Sequence, residues 1–204
     1  MTETAAPKSP EPPRPANAHH VASASFLVRL FRPLARAWLS VTNMRVVGDM
    51  PDAAKFVIVA APHRSNWDLP HVIAAGLHYG LYVQWLGKAA IFTWPFGGLM
   101  RRLGGIPIDR SARGNVVDAT VATFGKVDRM ALVIPPSGTR SEVSTWKTGF
   151  YHIAVGAKVP LVLCFIDYKR REIGVASVFQ PSGDYQADLP KIMAVYDPII
   201  SRTK

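Results

Sequence analysis

The sequence predicts an α/β fold with a mixed, largely parallel sheet flanked by helices and preceded by an amphipathic N-terminal helix. Short apolar runs that are typical of buried strands alternate with longer segments of helical periodicity. Such alternation is typical of parallel sheets covered by helices. The chain has 204 residues, of which 49% are hydrophobic and 19% charged, so we expect a globular fold with a sizeable core.

Composition divides the chain into three segments. Residues 1–22 begin with a proline-rich stretch that holds scarcely any bulky apolar side chain, so we expect a disordered tail. Residues 23–44 are predicted to form an amphipathic helix at a membrane interface, and residues 45–204 the α/β domain. No stretch reaches the ~18 apolar residues that a membrane-spanning helix needs, so we expect any membrane contact to be peripheral.

The predicted helix at 24–41 has an apolar face and a basic face. The apolar side chains that share one direction are Leu27, Leu30, Phe31, Leu34, Trp38 and Val41. The basic side chains on the opposite side are Arg29, Arg32 and Arg36. Pro33 removes a backbone donor, so a straight helix, a kinked helix and two short helices all remain compatible with the pattern. The apolar face either contacts lipid or packs against the domain.

The remaining elements follow one another without an internal repeat. In order, they are a strand at 55–62, a helix at 66–79, strands at 81–86 and 104–110, a helix at about 113–125, a strand at 131–134, a helix at about 147–157, strands at 161–166 and 173–179, and a helix near 187–196.

The charge balance is strongly basic. Lys and Arg number 24 against 14 Asp and Glu, which gives a formal net charge of +10. Residues 1–20 hold both signs equally, so the excess belongs to the rest of the chain and favours anionic partners. Cys164 is the only cysteine, so no internal disulfide can form, which suits a reducing cytosol.

Polar segments follow three of the predicted strands. The first strand leads into PHRSNWD, the strand at 104–110 ends in Asp109 and Arg110, and the strand at 131–134 leads into PPSGTRS. The strand at 81–86 ends at Gly87 and Lys88, which adds a further cation. If these strands are parallel, their polar ends converge at one edge of the sheet, where α/β proteins place their functional residues.

His63 and Asp68 are the candidate catalytic pair. Imidazole has a pKa near ~6.5 and accepts a proton at neutral pH. Asp68, five residues on, falls in the first turn of a helix that Ser65 or Asn66 would cap, and it can hydrogen-bond the imidazole. We expect both on a solvent-facing loop, with a substrate hydroxyl as the nucleophile. Alternatively, Asp68 only stabilises the helix N-terminus and His63 is an ordinary loop residue.

Arg110 and Arg140 are candidate phosphate ligands, because guanidinium binds phosphate bidentately and keeps its charge. Gly138 lets the backbone approach a ligand closely. The alternatives are a surface ion pair of Asp109 and a plain turn at Ser137 and Gly138.

The histidines and the cysteine have no spacing typical of a metal site, so we expect no metal. Net charge is the only feature of the sequence that favours nucleic-acid binding.

Four motifs carry a resemblance to a known family. They read HRSNWD at 63–68, GGIPIDR at 104–110, PSGTRS at 136–141 and VPLV at 159–162. In order and spacing they resemble the motifs of the glycerolipid acyltransferases typified by lysophosphatidic acid (1-acylglycerol-3-phosphate) acyltransferase, over about residues 45–170. The resemblance implies that the HX4D pair His63 and Asp68 is catalytic. It implies that Arg110, Gly138, Thr139 and Arg140 bind the phosphate of the acceptor.

The resemblance also implies the reaction and its setting. A fatty acyl group would pass from acyl-CoA or acyl-carrier protein to the hydroxyl of a lysophospholipid, in phospholipid biosynthesis and without a cofactor. The partners would be an anionic membrane surface, the acyl donor and the lysolipid acceptor, on the cytoplasmic side of the cell membrane. Ser137 stands where the family has Glu. The alternatives are a non-catalytic lipid-binding relative and, more remotely, a nucleic-acid binder.

Overall fold

A computed structural model of the chain describes residues 26–62, 65, 67–108, 113–136 and 146–203. The helices are α1 Phe26–Val41, α2 Asp68–His78, α3 Gly97–Arg102, α4 Arg113–Lys126, α5 Gly149–Ala157 and α6 Tyr185–Thr203, with a 3₁₀ helix at Ala89–Phe92. The strands are β1 Arg45–Val47, β2 Lys55–Ala60, β3 Val83–Lys88, β4 Gly105–Ile108, β5 Met130–Ile134, β6 Leu161–Asp167 and β7 Glu172–Phe179.

The described strands form one seven-stranded sheet in the order β1-β7-β6-β2-β5-β3-β4. The five strands from β6 to β4 in this order are parallel to one another. β7 is antiparallel to β6, and β1 pairs with β7 in parallel. The predicted fold class, a mixed and largely parallel sheet flanked by helices, is therefore confirmed.

Helices cover both faces of the sheet because successive strand residues point to opposite sides. Val57, Val59 and Leu163 pack on one side with side chains of α4, α5 and α6. Phe56, Ile58, Val133 and Trp85 pack on the other side with α2, the 3₁₀ helix and α3. The second face is the one that bears the candidate site.

Three short elements were not predicted, and one strand is displaced. β1, the 3₁₀ helix and α3 are too short to show a periodicity in the sequence. The strand predicted at 81–86 runs from Val83 to Lys88, which places Lys88 at its last residue. The last helix begins at Tyr185, where Asp184 accepts hydrogen bonds from the backbone N–H groups of Gln186 and Ala187, and it continues through Thr203.

α1 is a single helix that passes through Pro33 and packs against α2. The packed stripe consists of Val28, Ala35 and Leu39, and Arg32 donates a hydrogen bond to the carbonyl of His78 at 2.9 Å. The predicted apolar face is a different stripe, because Leu30, Phe31, Leu34 and Val41 are exposed.

None of the described helices combines the length and the apolar character that crossing a bilayer requires. The tail at 1–22 lies outside the described residues and stays a prediction.

Candidate active site

The strands that precede the polar motifs end at the same edge of the sheet. β2 pairs with β5 through Val59 and Ile134, and β3 pairs with β4 through Lys88 and Ile108, all in parallel. The convergence that the sequence predicts for these strand ends is thus present. Five predicted site residues, His63, Arg110, Gly138, Thr139 and Arg140, lie outside the described residues. Asp68 and Lys88 are described.

Asp68 is the first residue of α2 and is almost fully buried, with 3% of its surface exposed. Its Oδ2 accepts a hydrogen bond from the backbone N–H of Ser65 at 3.1 Å. Its Oδ1 accepts one from the hydroxyl of Tyr168 at 2.7 Å. The expectation that Asp68 faces solvent is therefore wrong. The carboxylate tolerates burial because the two donors replace the hydrogen bonds that it would make with water.

The start of α2 agrees with the expected cap at Ser65. The hydroxyl oxygen of Ser65 accepts a hydrogen bond from the backbone N–H of Trp67 at 3.1 Å, and the carboxylate of Asp68 accepts one from the backbone N–H of Ser65. This reciprocal pair is a capping box, so Asp68 also stabilises the N-terminus of α2. Asn66, the other predicted cap, lies outside the described residues.

Tyr168 is a site residue that the sequence analysis missed. It lies in the turn between β6 and β7, where Oδ1 of the buried Asp167 accepts hydrogen bonds from the backbone N–H groups of Lys169 and Arg170. Burial and the hydrogen bond to Asp68 raise the pKa of Tyr168, so its hydroxyl stays a donor at neutral pH. β6 ends at the same edge as β2. Like the other polar loops, this turn follows the carboxyl end of a strand, so the same criterion would have identified it as part of the site.

Lys88, the last residue of β3, is exposed and lines a cavity. The cavity has a volume of about 650 Å³ and lies between α2 and the sheet. Its walls are mainly apolar and include Ile58, Val133, Leu69 and Val72. Asp68, Ser65 and Lys88 are the polar residues at the carboxyl edge of the sheet that line it.

The cavity follows α2 from one end to the other. Asp68 and Tyr79 both line it, and the rise of a helix places these residues roughly 16 Å apart. The hydroxyl of Tyr79 donates to the carbonyls of Val47 and Gly48, at 2.8 and 2.9 Å, which fixes its ring at the far end. Cys164 lies in the wall, where burial raises the pKa of its thiol to about 12 and keeps it neutral.

Taken together, the described part of the site is an anchored carboxylate at the polar end of a long, mainly apolar cavity. It suits a ligand with a polar head and an extended apolar chain. Within the described residues, no group of three or more His, Cys, Asp or Glu side chains is arranged to hold a metal ion.

Comparison with known proteins places this chain in a family. The family model described as Acyltransferase matches residues 41–167. The chain is 30% identical over 159 residues to the 1-acyl-sn-glycerol-3-phosphate acyltransferase of Escherichia coli (strain K12), covering 72% of this chain and 60% of that protein. It therefore spans less than two thirds of that relative.

A solved structure gives the same fold. The crystal structure of the 1-acyl-sn-glycerophosphate (LPA) acyltransferase PlsC from Thermotoga maritima superposes with a TM-score of 0.58 at 18% identity. The match covers 84% of this chain and 76% of the other. From the family model, which spans more than half of the sequence and includes the four motifs, we conclude that this chain belongs to the acyltransferase family.

Proposed function

We propose that this protein transfers a fatty acyl group from acyl-CoA or acyl-carrier protein to the hydroxyl of a lysophospholipid such as 1-acylglycerol-3-phosphate, in phospholipid biosynthesis. The observation that carries the proposal is the buried carboxylate of Asp68 in the wall of a mainly apolar cavity about 650 Å³ in volume. Membership of the acyltransferase family and the name of the Escherichia coli relative support this reaction class and this acceptor.

In the proposed mechanism, His63 is the general base and Asp68 orients it. His63 takes the proton from the acceptor hydroxyl, and the oxygen attacks the thioester carbonyl of the donor. The C–S bond then breaks, and the thiolate leaves with the proton that the imidazolium returns. The two hydrogen bonds to Asp68 hold its carboxylate still, so it can fix the ring and stabilise the imidazolium.

The phosphate of the acceptor is assigned to the cationic side chains of the motifs. Arg110 and Arg140, with the backbone around Gly138 and Thr139, follow β4 and β5, whose ends lie at the edge of the sheet near Asp68. Lys88 ends the strand between these two in the sheet and adds its charge at the cavity opening. A cluster of this sign at the mouth would hold the headgroup while the apolar cavity takes a chain.

Replacing Tyr168 by Phe should lower kcat by roughly 10–100-fold and leave the KM of both substrates nearly unchanged. The variant loses one hydrogen bond to a charged acceptor, which is worth about 1.5–3 kcal/mol, while the ring keeps its contact with His71. Tyr82→Phe is the matched control, because the Tyr82 hydroxyl donates to the carbonyl of Arg102 at 2.7 Å. Equal kcat loss in both variants would contradict a role for Tyr168 at the site.

Replacing Ala75 by Leu should shift the preferred acyl donor to shorter chains. Ala75 lines the cavity seven residues beyond Asp68, so the larger side chain fills space that a long chain would occupy. Ala74→Leu adds the same volume one residue earlier, at a buried position of the same core cluster that is not among the described residues lining the cavity. The measurement is kcat/KM across a series of acyl-CoA lengths. The same preference in both variants would show that the cavity does not hold the acyl chain.

A direct assay tests the proposed function as a whole. Purified protein is mixed with labelled acyl-CoA or acyl-carrier protein and a panel of lysolipids, and the mass of the product identifies donor chain and acceptor together. An acylated lysolipid is the expected result. Lipid binding without thioester cleavage would favour the non-catalytic alternative, in which Ser137 marks a lost activity.

A peripheral position on the cytoplasmic face of the cell membrane completes the proposal. It is supported by the exposed apolar side chains Leu30, Phe31 and Leu34 of α1 and by the net charge of +10. The proposed lysolipid acceptor is an amphiphile with a long acyl chain, so an enzyme held at the bilayer meets it where it is concentrated.

A further inference from the structure

The segment between β3 and β4 presents apolar side chains to solvent. Ile91, Leu99, Phe96 and Trp94 are exposed, and the last two expose 65% and 92% of their surface. We refer to these four residues as the 91–99 patch. Scattered exposed apolar residues are common, but four within nine residues of one turn form a contiguous segment that calls for an apolar partner.

The patch is held on a well-defined turn. Phe92 is buried and its ring lies 5.7 Å from that of Trp85, which fixes the 3₁₀ helix to the sheet. A side chain at Gly97 would collide with the backbone of Phe92, and the N–H of Gly97 donates to the carbonyl of Thr93 at 2.7 Å. The exposed side chains therefore sit on a packed base and point away from it.

The charged residues within the segment that carries the 91–99 patch are all positive. The sequence contains no acidic residue between Asp68 and Asp109, whereas Lys88, Arg101 and Arg102 flank the patch and are exposed. The guanidinium of Arg101 donates to the carbonyl of Phe92 at 3.2 Å and lies over its ring, which ties this charge to the base of the turn. Exposed tryptophan, bulky apolar side chains and a border of basic residues are typical of contact with an anionic lipid surface.

The patch also lies beside the cavity of the candidate site. Ile91 lines that cavity and is 43% exposed, so the patch is continuous with the cavity wall. α2 forms the wall on the other side, and α1, with its exposed Leu30 and Leu34, packs on α2. Two exposed apolar surfaces thus flank one cavity on the same face of the sheet.

We propose that the 91–99 patch inserts into an anionic bilayer as a second membrane-contact element, separate from α1, and holds the opening of the cavity against the lipid. An acyl chain then enters the cavity without crossing water. The use of the cavity rests on the proposed function, whereas the insertion of the patch does not. A second copy of this chain fits the patch poorly, because a two-fold contact would bring Lys88, Arg101 and Arg102 against the same charges of the other copy.

A site-specific label measures the insertion directly. Trp94→Cys is made in the full chain with Cys164→Ala and is coupled to a nitrobenzoxadiazole label, whose emission shifts to the blue in lipid. Gln186→Cys in the same background is the control, since Gln186 is exposed on α6, against the opposite face of the sheet. The probes are vesicles of phosphatidylglycerol and phosphatidylcholine, and circular dichroism verifies that both variants are folded.

We expect a blue shift and a severalfold rise in intensity at position 94 with anionic vesicles, and no change at position 186. If the protein binds vesicles and the emission of the label at position 94 does not shift, the proposal is overturned. It is also overturned if the emission shifts with protein concentration in the absence of vesicles, which would indicate self-association. Trp94→Ser, which carries no label, should weaken vesicle binding by about tenfold. Undiminished binding of this variant also counts against insertion. Neither the label emission nor the vesicle binding depends on catalysis. A negative acyl-transfer assay therefore does not affect the test of the patch.

Discussion

Replacing Asp68 by Asn should lower the rate of acyl transfer by roughly 10⁴-fold, the scale seen when the orienting carboxylate of a catalytic triad is removed. The neutral amide cannot stabilise an imidazolium at His63. The amide also replaces one of the two carboxylate oxygens by an NH2 donor, so one of the positions that accept from Ser65 and Tyr168 is lost. His63→Ala should cause a loss of similar size, because the base itself is then absent.

The burial of Asp68 determines how this experiment is controlled. Loss of a hydrogen bond at a buried carboxylate costs about 1–3 kcal/mol of stability, so activity is expressed per folded molecule. Asp188 is a matched control, because it is also buried and accepts bonds from the Tyr151 hydroxyl at 2.7 Å and the backbone N–H of Ser182 at 2.6 Å. Asp188→Asn should lower Tm and leave kcat unchanged. A kcat for Asp68→Asn within tenfold of the wild type would refute its assignment.

Replacing Leu30, Phe31 and Leu34 together by Ser should weaken binding to anionic vesicles by about 100-fold or more. Each side chain is roughly half exposed, and its transfer into lipid contributes about 1 kcal/mol, so the three together supply about 3 kcal/mol. Sedimentation with vesicles at low and high salt measures the effect and separates the apolar contribution from the electrostatic one.

Point substitutions are preferable to deletion of residues 1–41. Because Ala35 and Leu39 are buried against α2, removal of α1 would expose that face of the domain and promote aggregation. Val28→Ser is the control, since it should lower Tm without changing the vesicle affinity of the folded protein. Unchanged sedimentation of the triple variant would show that the exposed stripe of α1 does not bind lipid.

Most of the fold was predictable because its central elements are long enough to show their periodicity. The strands at the centre of the sheet are short, continuous apolar runs, since both of their faces are covered by helices. β1 and the 3₁₀ helix could not be predicted, because three or four residues carry no periodic signal. Their positions are set by the pairing of β1 with β7 and by the packing of Phe92 on Trp85.

The amphipathic helix illustrates a limit of periodicity. The pattern identifies a broad apolar face, but it cannot say which part of the helix surface meets the domain. In the structure α1 docks through the narrow stripe of Val28, Ala35 and Leu39, where a small residue lets the two helices approach. Leu30, Phe31, Leu34 and Val41 of the predicted face are exposed and available for lipid, whereas Trp38 packs against Trp67 and His71.

The sequence by itself determined the fold class, the edge of the sheet at which the strands before the polar motifs end, and the motif pattern of the acyltransferase family. These are local properties, because strand periodicity and motif spacing are written in consecutive residues. Only the tertiary structure decided that Asp68 is buried, that Tyr168, 100 residues away, donates to it, and that an apolar cavity opens beside it. These features depend on side chains that come into contact only when β2, β6 and α2 pack together, and no pattern of consecutive residues indicates such contacts.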